Sequence, residues 1–237
     1  MKILCLECSA GPSSAAVIED GKVFASSFMN IKTTHSRTLL PAVKSMLDNC
    51  LISISDIDGF AVSNGPGSFT GIRIGISAVK GLAQAKKLPC VGVSTLLCMA
   101  YNFISNECIV CSVMDARCNQ FYSALFDISG GCVNRLFEDK ALSADELENE
   151  IYGIREKFNK PIIVCGDGAD LFYGLLSDKS GIKAADEASK YQNAVGIGMA
   201  AYREFTENNT VSPEELLPVY LRLPQAEREL KLKKGKA

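Results

Sequence analysis

The residues best suited to chemistry lie in "SNGPGSFTGIRIG", positions 63–75, where four glycines, hydroxyls and an arginine separate an apolar run from a helical pattern. Glycine-rich turns that open a helix gather backbone N–H groups around phosphate. A Walker-type loop needs GxxxxGK[ST], with its lysine reaching the phosphates; Gly65, Gly67 and Gly71 do not fit that spacing and no lysine follows them. The dinucleotide fingerprint GxGxxG fails too, because Thr70 takes the third glycine position. His35 is the single histidine. Ser-His or Cys-His catalysis would have to run through it, yet it stands at an expected helix start, where capping or a surface position is its ordinary role. Among ten cysteines, Cys5/Cys8 and Cys108/Cys111 have the CxxC spacing of zinc sites. Both pairs sit in apolar runs, and a strand sends positions i and i+3 to opposite faces. Buried thiols without a metal are the expectation.

The elements that must position these residues repeat. Residues 2–8, 14–19 and 22–29 read as a three-stranded meander joined by glycine-containing turns. "TTHSRTLLPAVKSMLDNC" places Leu39, Leu40, Val43, Met46, Leu47 and Cys50 at helical spacing, with Pro41 tolerable only near the helix start. A buried strand at 58–64 and a helix at 70–87 follow. The second half repeats this order, with strands at 108–115, 119–127 and 132–139, a helix capped by Ser143 and Glu146, the buried strand "PIIVCGD" and the helix "GADLFYGLLSDK". A β-β-β-α-β-α unit recurring about 105 residues on predicts two similar α/β lobes. These are expected over 1–104 and 105–237, with 213–224 packing back on the first lobe and 225–237 a basic tail. The first strand ends in Glu7 and its counterpart in Asp115.

At 237 residues, 47% hydrophobic and 22% charged, the chain can bury a sizeable core. A net charge of −2 gives no global pull toward nucleic acid or anionic membrane. The start "MKILCLECS" is too short for a signal-peptide core and no stretch approaches a membrane span, so a soluble cytoplasmic protein with reduced thiols is expected.

Laid on a helix at about 100° per residue, Gly71, Ile72, Ile74, Gly75, Ile76, Ala78, Val79, Gly81, Leu82, Ala83 and Ala85 cover a sector of roughly 220°. One sheet needs a stripe of about 100°. The excess predicts a helix touching its own sheet and another helix, from a partner chain or from the same lobe. Ile76 and Ala78 lie near opposite edges of the sector, roughly 160° apart; Ile76 is expected in the core and Ala78 at the contact.

The element order resembles the ribonuclease-H-like unit, and its duplication resembles the actin, sugar-kinase and heat-shock ATPase architecture. That resemblance implies two acidic strand ends, here Glu7 and Asp115, facing one another across a cleft with a nucleotide-bound metal. More specifically, "GPGSFTGIRIG", "AVKGLA", "LPCVGVSTL", "HSRTLLPAV", "DARCNQFYSALF", "CGDGAD" and "PVYLR" together resemble the TsaB (YeaZ) family over residues 1 to about 224. The resemblance implies an accessory subunit of bacterial threonylcarbamoyladenosine synthesis on tRNA, a degenerate relative of the transferase TsaD. It implies association with TsaD through the first-lobe helices, a TsaE-type ATPase that joins them, a homodimer in isolation, and tRNA contacted indirectly. The association face falls on His35, Leu39, Leu40, Gly71, Ile74, Gly75 and Ala78. Two departures stand out: the first strand ends in "ECS" where the family has "DTS", and Arg37 replaces the acid of "HSE".

The transferase relative holds a metal through two histidines spaced i, i+4; here position 39 is Leu, so no metal site is expected. Glu7, Ser9 and Asp115, with Ser13 and Ser14 nearby, leave room for weak ATP or ADP binding. Against efficient turnover, Asp167 and Asp170 sit at a helix start where a carboxylate satisfies the N-terminus and repels an anion. The leading expectation is a non-catalytic partner requiring no cofactor. The competing one is a small kinase-like or peptidase-like enzyme using the Glu7/Asp115 cleft.

Overall fold

The structure, a computed structural model, describes residues 1–222. The first half runs β1 (Lys2–Glu7), β2 (Ser13–Glu19), β3 (Lys22–Met29), α1 (His35–Asn49), β4 (Gly59–Gly65), α2 (Phe69–Gln84), β5 (Cys90–Ser94) and α3 (Thr95–Ala100). The second runs β6 (Cys108–Asp115), β7 (Gln120–Ser129), β8 (Cys132–Arg135), β9 (Lys140–Ser143), α4 (Ala144–Lys157), β10 (Ile162–Cys165), α5 (Ala169–Leu175), β11 (Ile182–Ala184), α6 (Glu187–Lys190) and α7 (Ala194–Thr206).

The strand orders are β3-β2-β1-β4-β5 and β11-β10-β6-β7-β8, with β9 also on β7. In each sheet the hairpin-linked strands are antiparallel and the strands reached by crossover helices are parallel. These are two ribonuclease-H-like lobes in the actin and sugar-kinase arrangement. Of the expected third strand at 132–139 only Cys132–Arg135 forms, as β8; β9 starts just beyond it at Lys140, and the two pair with opposite halves of β7. Asp139 is drawn out of line between them: it accepts from Ser94 Oγ at 2.6 Å and pairs with the Arg135 guanidinium. Pro41 lies in the second turn of α1 rather than at its start. Its missing N–H falls on the exposed side, where water can serve the freed carbonyl.

β1 is apolar on both faces because both are covered. Leu4 and Leu6 pack outward with α1 and α2, while Ile3 and Cys5 pack inward. The CxxC pairs follow the same alternation: Cys5 and Cys108 lie in the central core, and Cys8 and Cys111 in the outer cores. Each pair therefore straddles its sheet. Among the described residues no group of three or more His, Cys, Asp or Glu could hold a metal, and no helix is long and apolar enough to cross a membrane.

The central core is where the halves interlock. α3 packs on β6 and β7 of the second sheet, α7 packs on β1 and β2 of the first, and the two helices touch. Residues 105–222 thus supply the helix that seals the first sheet. The sequence reading did not single out α7.

Ile197, fully buried in that layer, tests the interlock. Ile197→Ala is expected to cost about 2–5 kcal/mol and to shift one cooperative urea transition, followed in parallel by probes in each lobe. Separate transitions would show that the lobes fold independently.

Candidate functional site

The ends of β1 and β6 open on a cleft of about 510 Å³, walled by Ser9, Gly67, Ser68 and Thr70 on one side and by Asp115, Arg117 and Asp167 on the other. Glu7 is not on its wall. The carboxyl is fully buried, and Oε1 accepts from the backbone N–H and the hydroxyl of Ser9. Burial pushes the Glu7 carboxyl above the usual carboxylate range, against the pull of the Ser9 bonds. The expected pairing of Glu7 with Asp115 across the cleft is therefore not formed. A glutamate has the reach to fold back on the residue two positions along, and here it does so; Ser9 is left as the floor.

The glycine-rich turn uses part of its own amides internally. Ser68 N donates to Ser9 O at 2.6 Å, Gly71 N to the Ser68 cap oxygen at 3.2 Å, and Ile72 N to Ser68 O at 2.9 Å. The first two amides of α2, Phe69 N and Thr70 N, make no hydrogen bond among the described residues. With Glu7 withdrawn from the wall, the residues do not fit a metal held between Glu7 and Asp115.

On α2, Gly71 and Gly75 look inward, whereas Gly81 faces open space. A Cβ at Gly71 would lie 2.1 Å from Cys8 O, and one at Gly75 3.0 Å from Val62 Cγ2. Leu39 is 1% exposed. Gly71 and Gly75 therefore belong to the chain's own core, where the lack of a side chain lets α2 close on β1 and β4; Leu39 packs in that core and its edge also lines the α1/α2 groove. Ile76 is buried among that core, and Ala78 is half-buried on the other face. His35, Leu40, Ile74 and Ala78 line an apolar groove of about 630 Å³ between α1 and α2, together with Phe69, Arg73 and Ser77. His35 Nε2–H donates to Ala10 O at 2.7 Å, which fixes its ring at the groove's end. Leu40 is 47% exposed.

Phe69, Arg73 and Tyr220 were missed by sequence reasoning. Arg73 stands 3.7 Å over the Phe69 ring and donates from Nε to Tyr220 Oη at 2.9 Å, while Tyr220 stacks on Phe69 with centroids 4.9 Å apart. The spacing Phe69–Arg73 is i, i+4, a signal for a side-chain pair on one helix face; nothing in the sequence pattern brings Tyr220 to it. Residues 211–222 run back along the first lobe, with Cys90 N donating to Val211 O at 2.9 Å and Gln84 Nε2 to Glu214 Oε1 at 2.7 Å.

On the opposite wall Asp115 Oδ1 accepts from Arg117 N at 2.8 Å. Arg117, Cys118 and Asn119 are all left-handed, with φ of 65°, 55° and 54°. Such backbone costs about 1–2 kcal/mol per residue bearing a side chain, least for Asn. Enclosure in the cleft, then the Asp115 charge, raises Asp167 to about 6. A carboxyl whose folded value lies above its unfolded one binds its proton more tightly when folded. Its contribution to stability therefore falls as pH rises from about 4 to about 6, and is flat above that. Asp167→Asn is expected to abolish this part of the pH profile, read as the difference between variant and wild-type urea midpoints from pH 4 to 7; parallel profiles would show that Asp167 titrates like an open carboxyl.

The family model described as tRNA N6-adenosine threonylcarbamoyltransferase, TsaD, matches residues 23–230. A Bacillus subtilis relative described as tRNA threonylcarbamoyladenosine biosynthesis protein TsaB is 29% identical over 228 residues, 96% of this chain and 96% of its own. An Escherichia coli relative of the same description is 31% identical over 224 residues, 94% of this chain and 95% of its own. Among solved structures, a Pseudomonas aeruginosa protein described as similar to the peptidase YeaZ superposes with a TM-score of 0.79 at 26% identity, covering 93% of this chain and 99% of that one. Similarity that runs nearly end to end in sequence and in backbone makes this chain a member of the TsaB (YeaZ) family.

Proposed function

We propose that the chain is a non-catalytic subunit in the synthesis of threonylcarbamoyladenosine on tRNA, and that it docks on and activates a TsaD-type threonylcarbamoyltransferase through the α1/α2 groove. The observation that carries this reading is the groove itself: an apolar surface with Leu40 exposed at its centre, on a helix already packed on its own sheet. The TsaD family model spans both helices. A TsaD-type chain would thus offer a comparable helix pair, and two such pairs can meet about a pseudo-twofold axis. In this reading a second copy of this chain takes the same face and forms a homodimer when the paralogue is absent.

Against chemistry of its own, the single histidine is committed to Ala10 O and leaves no histidine pair, and Glu7 is withdrawn from the cleft wall. In this reading the cleft takes at most a weak ATP or ADP contact that the reaction does not require. A TsaE-type ATPase joins the pair, and tRNA is reached through the transferase.

The isolated protein is expected to make no threonylcarbamoyladenosine from ATP, threonine, bicarbonate and tRNA, and to support product formation once the paralogue, the ATPase and the threonylcarbamoyl-adenylate-producing enzyme are present. Product from this chain alone would overturn the reading. Ala78→Glu places a charge in the groove that is hydrated in the monomer and penalised on docking; it should leave a folded monomer with paralogue affinity reduced tenfold or more. Ile76→Glu buries an unpartnered carboxylate at a cost of several kcal/mol, a large share of a domain's total stability, and should abolish soluble protein. Circular dichroism, size exclusion and a pull-down distinguish these outcomes, and normal association by Ala78→Glu would remove the groove from the interface.

A further inference from the structure

The "PVYLR" segment, residues 218–222, touches three separate parts of the molecule. Val219 N donates to Asn64 O at 2.7 Å, tying the segment to the end of β4. Tyr220 joins the Phe69–Arg73 stack, whose other two members line the α1/α2 groove. Arg222 Nη1 donates to Ala116 O at 2.7 Å and to Arg117 O at 3.3 Å, reaching across the cleft to the left-handed β6–β7 turn. One short segment is thus anchored on the first lobe, stacked on groove residues and bonded to the second lobe. Arg73 uses Nε on Tyr220, and its terminal nitrogens make no hydrogen bond among the described residues. They lie on a mainly apolar groove whose other polar residues, His35, Ser36, Thr70 and Ser77, carry no fixed charge, and a carboxylate from a docked chain would meet them there.

Resting on the docking proposed above, we infer that residues 218–222 act as a clasp that carries occupancy of the groove to the cleft. The partner chain presents an apolar helix face bearing a carboxylate that engages Arg73. Arg73 and Phe69 then hold Tyr220 in place, and Arg222, two residues on, holds the strained 116–119 turn. The interface therefore extends in effect from α1/α2 to the second lobe, although the groove itself lies wholly on the first.

Amide hydrogen exchange tests this on the full chain. In the free protein Arg222→Met should speed exchange at residues 116–120 tenfold or more while leaving β1 and β4 unchanged. Adding the paralogue to wild type should protect 35–40 and 69–78 and also slow exchange at 116–120 at least threefold. In Arg222→Met and in Tyr220→Phe, which loses the oxygen that accepts from Arg73, protection at 35–78 should persist while the response at 116–120 disappears. Unchanged exchange at 116–120 in free Arg222→Met would overturn the clasp, as would protection confined to 35–78 in wild type. A paralogue that fails to bind wild type would overturn the docking reading instead, and the free-protein comparison would still decide whether Arg222 holds the turn.

Discussion

Two helices occupy one layer between two sheets, and most of the structure follows from that. α3 comes from the first half of the chain and lies on the second sheet; α7 comes from the second half and lies on the first. Neither sheet can bury its inner face without chain supplied by the other half. Burial of apolar area is the dominant favourable term in folding, so the exchange makes the lobes a single cooperative unit although each has its own outer core. It also fixes the cleft: the ends of β1 and β6 face one another only because the sheets share this layer.

Within that frame one methylene alters the chemistry available. Glu7 ends its strand where the resemblance implies an acid on the cleft wall, yet it folds back on Ser9 and is fully buried. Ser9 in turn anchors the glycine-rich turn through Ser68 N. Glu7 Oε1, the Ser9 hydroxyl and the Ser68 amide are thus linked through Ser9, while Glu7 Oε2 takes no part in that set. Arg222 adds a cation to the mouth and uses it on two backbone carbonyls.

The sequence carried the lobes well because period and burial agree there. β1 is apolar at every position the two cores need, and α2 has more apolar surface than its sheet can cover, which placed Ile76 inside and Ala78 on the other face. It carried the groove less well. Glycine is silent about direction, so Gly71 and Gly75 read as contacts with another chain when they in fact admit Cys8 and Val62. Leu39 and Leu40 are adjacent leucines separated by one helical step, enough to bury one and expose the other. Tyr220 was out of reach for a different reason: its position depends on a segment returning over some 150 residues, and no local periodicity encodes that (Arg73 and Tyr220 are 147 apart). The early end of the expected third strand, at Arg135, was likewise not legible locally: Asp139 beyond it is engaged by Ser94, a side chain from the other lobe.

The duplication is unequal where it counts for assembly. α2 runs 16 residues, whereas its counterpart α5 runs 7. A helix of two turns offers about half the length for a second helix to lie against. With α2 long on one lobe and its counterpart short on the other, a chain that docked through the first lobe's helices would have no equivalent face left for a third, and such a pair would close on itself rather than grow into a fibre.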